Sequence, residues 1–93
     1  MKLSDENIRG KTAISADGQV LGEVTAVNFD SLTWRVEALR LELRKDIADR
    51  VGADRTIFHA GAVHVPIDLV QSVGDTVVLN SKVDELRKLI PVE

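Results

Sequence analysis

The sequence predicts a mostly-β fold, a small barrel or sandwich of about five short strands, on three observations. Runs rich in valine and other β-branched residues recur at close spacing along the 93 residues. Turn signals such as Asp17-Gly18 and Val73-Gly74-Asp75 separate those runs. Aromatics are limited to Phe29, Trp34 and Phe58, so Val, Leu, Ile and Ala must build the core. A chain of this length forms one modest domain that buries roughly two-thirds of the surface its unfolded state exposes.

The first element is a short strand over residues 11–14. Ser15-Ala16-Asp17-Gly18-Gln19 follows, and Asp-Gly between two strand-like runs marks a hairpin whose central positions want φ > 0. Residues 20–29 carry Val20, Val24, Val27 and Phe29 and read as the second strand. Gly22 inside that run marks a bulge or sharp bend, as at a barrel corner, and Asp30-Ser31 opens the next turn.

Residues 34–51 admit two readings. Trp34-Arg35-Val36-Glu37 and Leu39-Arg40-Leu41-Glu42-Leu43-Arg44 both alternate, out of phase with each other at Ala38, and a β-bulge there repairs the slip. Val36, Leu39, Leu43, Ile47 and Val51 also lie at helical spacing, so periodicity leaves the segment open. The reading adopted is strand through Leu43, then a helical turn over residues 46–51 capped by Gly52. Residues 55–58 read as a possible strand, with a turn at His59-Ala60-Gly61. Residues 63–70 form another extended run whose Pro66 belongs at an edge or bulge. After Val73-Gly74-Asp75, residues 76–79 are a short strand. Asn80 or Ser81 then caps a final helix with Val83, Leu86 and Ile90 on one stripe and Pro91 at its end.

The formal net charge is −3, which gives no general attraction to phosphate backbones. Arg40, Arg44, Lys45 and Arg50 alternate with Glu42, Asp46 and Asp49, the pattern of a solvated, charge-balanced face. There is no cysteine, hence no disulfide, thiol nucleophile or thiolate metal site. No apolar run approaches the ~20 residues that span a bilayer, and residues 1–7 do not have signal-peptide character. A cytoplasmic protein is expected, with any membrane association supplied by a partner.

Gly10-Lys11, Asp17-Gly18, Leu21-Gly22-Glu23-Val24, Val65-Pro66-Ile67-Asp68-Leu69-Val70, Val73-Gly74-Asp75 and Val77-Val78-Leu79, in that order and spacing, resemble the PRC-barrel family. The resemblance implies a small antiparallel barrel of about five to six strands with a short helical turn and a C-terminal helix. It favours strand for residues 34–43 and places a single domain over residues 8–89. Family members occur as the cytoplasmic part of a photosynthetic reaction-centre subunit, as the half of a ribosome-maturation factor that binds a ribosomal protein, and as stand-alone archaeal proteins. Some of the last bridge the SepF membrane anchor of the FtsZ ring and another PRC-barrel protein. Leu32-Thr33-Trp34 and the ending Leu79-Asn80-Ser81-Lys82-Val83-Asp84-Glu85-Leu86 are most similar to the stand-alone type. With neither a transmembrane helix nor the maturation factor's N-terminal domain in these residues, the other two settings fit less well.

The family brings no catalytic residues, and the sequence adds none. The acidic residues fall mostly in turns, where Asp shapes the backbone, and no nucleophile–base pair or phosphate-binding glycine loop is present. His59 and His64, with Asp54 or Asp68 as a third ligand, could share a metal, but the spacing is not that of a structural metal site and the histidines read as loop residues. The expectation is therefore a non-enzymatic adaptor without cofactor or metal, binding protein partners rather than nucleic acid and not inserting into a membrane. Trp34 is either core or an interface anchor. The stripe of Val83, Leu86, Leu89 and Ile90 packs on the barrel or on a second subunit, which makes a homodimer, or a heterodimer with a paralogue, the expected assembly. The expected setting is an archaeal division complex, through a SepF-type anchor and other PRC-barrel proteins. The alternatives are a ribosome-maturation or RNA-processing factor that binds a ribosomal protein, and a small-ligand or metal-binding barrel.

Overall fold

A computed structural model describes residues 4–52 and 61–89. The elements are α1 (Asp5–Ile8), β1 (Thr12–Ile14), β2 (Val20–Phe29), β3 (Val36–Leu43), α2 (Lys45–Val51), β4 (Ala62–Pro66), β5 (Val70–Val73) and β6 (Val77–Leu79). Two 3₁₀ segments, Ile67–Leu69 and Val83–Leu89, complete the described chain. The strands form one six-stranded sheet in the order β4-β3-β2-β1-β6-β5.

The mostly-β fold with six strands and a helical turn is as the sequence predicts, with three differences. The sheet is mixed, because β1 pairs parallel to β6 through Ala13 opposite Val77 and Ile14 opposite Val78. Its hydrogen-bonded ladder does not close among the described residues, where β4 and β5 are the two edges. These edges are successive in the chain and joined by the single turn Ile67–Leu69. Pro66, which has no N–H to give a ladder, ends β4 at that corner and breaks the extended run expected over residues 63–70. The third difference is that the C-terminal segment is 3₁₀ rather than α-helical. Val83, Leu86 and Leu89 recur every third residue, which is the 3₁₀ repeat, so the tighter winding turns all three toward the core.

Alternation places the core. Leu39, Leu41 and Leu43 point inward from β3, Leu21 and Val24 from β2, Val63 and Val65 from β4, and Val77 and Leu79 from β6. Ile47, Ala48 and Val51 of α2 and Val83 and Leu86 close over them. All are aliphatic, as the composition requires. The phase slip in β3 is repaired by a bulge, with Asn28 opposite Ala38 but Phe29 opposite Val36, leaving Glu37 as the extra residue. That is one position before the expected site. A second bulge leaves Thr25 extra on β2, where the Arg40 Nη1 donates to its hydroxyl at 2.7 Å.

Gly22 lies between Ala13 of β1 and Leu43 of β3. A Cβ there would overlap the carbonyl oxygen of Glu42 and come within 2.9 Å of the Leu43 Cα, so only glycine lets β3 approach this closely. α2 ends as predicted, at Gly52 in the left-handed region (φ 82°) with its N–H bonded to the Ala48 carbonyl. α1 was not expected from the sequence. It is a single turn in which the Ser4 N–H donates to Asn7 Oδ1 at 3.0 Å, and Ile8 at its end packs on the core. The possible strand at 55–58 and the residues His59 and Ala60 lie outside the described residues.

Candidate functional site

The longest hairpin of the sheet runs β2–loop–β3, and its far end outreaches its neighbours. β1 pairs with β2 only from Val20 to Glu23, and β4 pairs with β3 only from Ala38 to Glu42. The last rung, Phe29 opposite Val36, therefore has no ladder partner on either side among the described residues. Beyond it the chain reverses over residues 30–35.

Backbone and side-chain bonds fix that reversal. The Asp30 N–H donates to the Arg35 carbonyl at 2.9 Å, and the Trp34 N–H to the Asp30 carbonyl at 2.7 Å. The Asp30 carboxylate accepts the Leu32 N–H at 2.8 Å, an Asx turn. The Arg35 N–H donates to Thr33 Oγ1 at 3.3 Å. Trp34 takes φ 59° and is the only non-glycine with positive φ among the described residues. A bulky L-residue in this region costs about 1–2 kcal/mol, and glycine would adopt it freely.

The loop spends that strain on displaying apolar side chains. Leu32 is 90% exposed, Trp34 77% and Phe29 50%. Three large apolar side chains exposed at one end of a hairpin are the kind of surface that binding sites present. The core reading of Trp34 is thereby corrected: the tryptophan stands at the apex of a projecting hairpin, in the turn before β3 rather than in the strand. Leu32, part of a family-like stretch, and Phe29, a strand residue, join Trp34 as exposed apolar groups, and the sequence marks neither of these two as an interface candidate. The available clue was an apolar Leu32 and Trp34 inside a stretch that otherwise reads as turn.

The C-terminal stripe divides differently. Val83 and Leu86 are fully buried against the chain's own core, so they are packing residues and offer no surface to a second subunit. Ile90 lies outside the described residues. The expected cap is also replaced, because Lys82 and Glu85 close the first turn, the Lys82 N–H donating to Glu85 Oε1 at 2.9 Å. Asn80 and Ser81 bind elsewhere: Asn80 Nδ2 donates to the Asp68 carbonyl at 3.2 Å, and the Ser81 carbonyl accepts the Ala16 N–H at 2.8 Å.

Other polar groups serve the fold. In the β1–β2 loop the Ser15 hydroxyl donates to Asp17, which also accepts the Gln19 Nε2 at 3.0 Å. The Ser15 hydroxyl is the largest influence holding the Asp17 carboxyl below its ordinary value; desolvation opposes it, and the N–H groups of Asp17 and Val83 and the Gln19 amide reinforce it. Arg50 meets Asp84 at 3.2 Å and donates to Gln19 Oε1 at 3.0 Å, joining α2 to the C-terminal segment and this loop. Arg44 pairs with Asp46 at 3.4 Å. The half-buried Arg40 instead bonds the Thr25 hydroxyl, so only part of the mixed charge of residues 40–50 is paired.

Of the residues weighed for a metal, His64 is exposed on β4 and Asp68 lies in the following 3₁₀ turn, while Asp54 and His59 fall outside the described residues. No group of three potential metal ligands comes together among the described residues. An open cleft of about 420 Å³ lies where Thr12, Glu23 and Glu42 line up across β1, β2 and β3. Glu23 and Glu42 are directly opposed, with Arg44 at the rim. Both glutamates are exposed, and the cleft has no nucleophile paired with a base, so it lacks the arrangement of a hydrolytic or transfer site.

A comparison with protein families matches residues 2–86 to the PRC-barrel domain. No curated protein matches the sequence.

Proposed function

The chain belongs to the PRC-barrel domain family, and on that premise we propose that it is a non-enzymatic adaptor of an archaeal cell-division complex. Domains of this family are small protein-interaction modules. In the proposed role the chain bridges a SepF-type anchor of the FtsZ ring and another PRC-barrel protein, and reaches the division site through that anchor. Two sequence stretches support the choice of setting: Leu32-Thr33-Trp34 and residues 79–86, both similar to the stand-alone archaeal type. The observation that carries the adaptor reading is the strained hairpin apex, which holds Leu32 and Trp34 in solvent. Pairing with a second copy or a paralogue belongs to the same reading. It is supported by β5, an end strand of the open sheet among the described residues and the kind of element that can accept another strand.

Tagged purification from the native host under gentle conditions, with co-purifying proteins identified by mass spectrometry, tests the proposal. SepF-type and PRC-barrel proteins are the expected recovery. Recovery of ribosomal proteins in their place would move the chain to ribosome maturation and overturn the division role. Dimerisation is checked by light scattering, where a strict monomer through the micromolar range rules out self-pairing.

A further inference from the structure

We infer that the hairpin apex is a docking knob for an apolar groove on a different protein, with Trp34 and Leu32 as its anchors. The inference rests on the adaptor reading and names the surface and the kind of partner. Three observations carry it. The apex projects past both flanking strands, so its side chains can enter a concavity without the rest of the sheet colliding. The loop holds its shape through the Asp30 and Thr33 bonds, which lowers the ordering cost of binding. The backbone at Trp34 (φ 59°) occupies a region that glycine would take without strain, yet the residue is a solvent-exposed tryptophan.

The size and charge of the patch choose the occupant. Phe29, Leu32 and Trp34 together expose about 400 Å² of apolar surface, judged from the areas that such side chains bury. Two convex tips meeting symmetrically would cover about 800 Å², short of the ~1,000 Å² that a specific interface needs. A second copy is therefore a poor fit at this site, whereas a groove wraps the knob and covers its flanks as well. A lipid surface is disfavoured by charge: anionic leaflets recruit clusters of basic residues, and the apex offers Arg35 alone in a chain of net charge −3. A protein groove deep enough for an indole remains, and tryptophan is the side chain most enriched at the centre of such contacts.

The test uses the full-length chain and its Trp34→Gly and Leu32→Ser variants. The probe is the protein most abundantly recovered with the wild type in the purification above, itself expressed and purified. Each variant is expected to bind it at least ~30-fold more weakly, the loss expected of a hot-spot residue. Trp34→Gly should melt no lower than wild type, because glycine is at ease at this φ, which separates lost docking from lost folding. Equal binding by wild type and variants overturns the knob and leaves the adaptor reading in place. A ribosomal protein whose binding falls with Trp34→Gly keeps the knob and overturns the division role. The inference also fails if no recovered protein depends on Trp34. It fails equally if the Trp34 emission shifts to the blue on self-association, or with vesicles of phosphatidylcholine or phosphatidylglycerol.

Discussion

At Gly22 three strands meet, and the missing side chain is a requirement of the fold. Any Cβ would overlap the Glu42 carbonyl, a backbone atom that cannot swing aside. Gly22→Ala is expected to cost about 3 kcal/mol and to lower the melting temperature by at least ~10 °C, measurable by calorimetry. Asp17 gives a pH-dependent prediction. Its carboxyl titrates below the ordinary 3.8, chiefly through the Ser15 hydroxyl. A depressed folded-state pKa means that the associated stability is complete above the unfolded value and is lost as the pH falls through the folded one. The melting-temperature gap between wild type and Asp17→Asn should thus be constant near neutrality and narrow below pH 3.8. The sequence made Gly22 and the Asp17-Gly18 turn readable, because both depend on local backbone geometry. It misjudged the turn in detail: only Gly18 takes positive φ, in a loop where the Gly18 N–H bonds Ser15 and the Ser15 N–H bonds Gln19. Trp34 was harder to read, since an indole's usual burial argues for the core and the strained loop that exposes it depends on Asp30 and Thr33 together.

Elements were legible where a pattern had one physical meaning. The out-of-phase alternation of β3 called for a bulge, and one lies at Glu37. Gly52 marked the end of α2 because a left-handed cap favours glycine. Val83, Leu86 and Ile90 fit the α-helical repeat, which is why the sequence predicts an α-helix for the C-terminal segment. Val83, Leu86 and Leu89 fit a period of three equally well, and packing against α2 and the sheet decides between them. Burial of Leu86 makes this segment integral to the core. Leu86→Ala is expected to destabilise the fold by about 2–5 kcal/mol through the cavity it leaves, visible as a shifted urea midpoint. Were Leu86 an interface residue instead, the variant would keep its midpoint and lose only association.

The whole molecule is a sheet bent until its edge strands follow one another through a single corner, with one hairpin left projecting. The parallel pairing of β1 with β6 was invisible in the sequence because it joins segments more than sixty residues apart, and the open ladder because it depends on the pairing of all six strands. The same holds for the apex: its projection depends on where β1 and β4 stop pairing, which no local pattern records. At this scale the claim is that the protein works by inserting that apex into a partner. Trp34 is the chain's only tryptophan, so its fluorescence reports on this position alone. The most direct test is to follow its emission and acrylamide quenching while the purified co-isolated partner is titrated in. A saturable blue shift with protection from quenching, at the stoichiometry of the complex, is the predicted result. Complex formation by light scattering with an unchanged, fully quenchable emission would contradict the account.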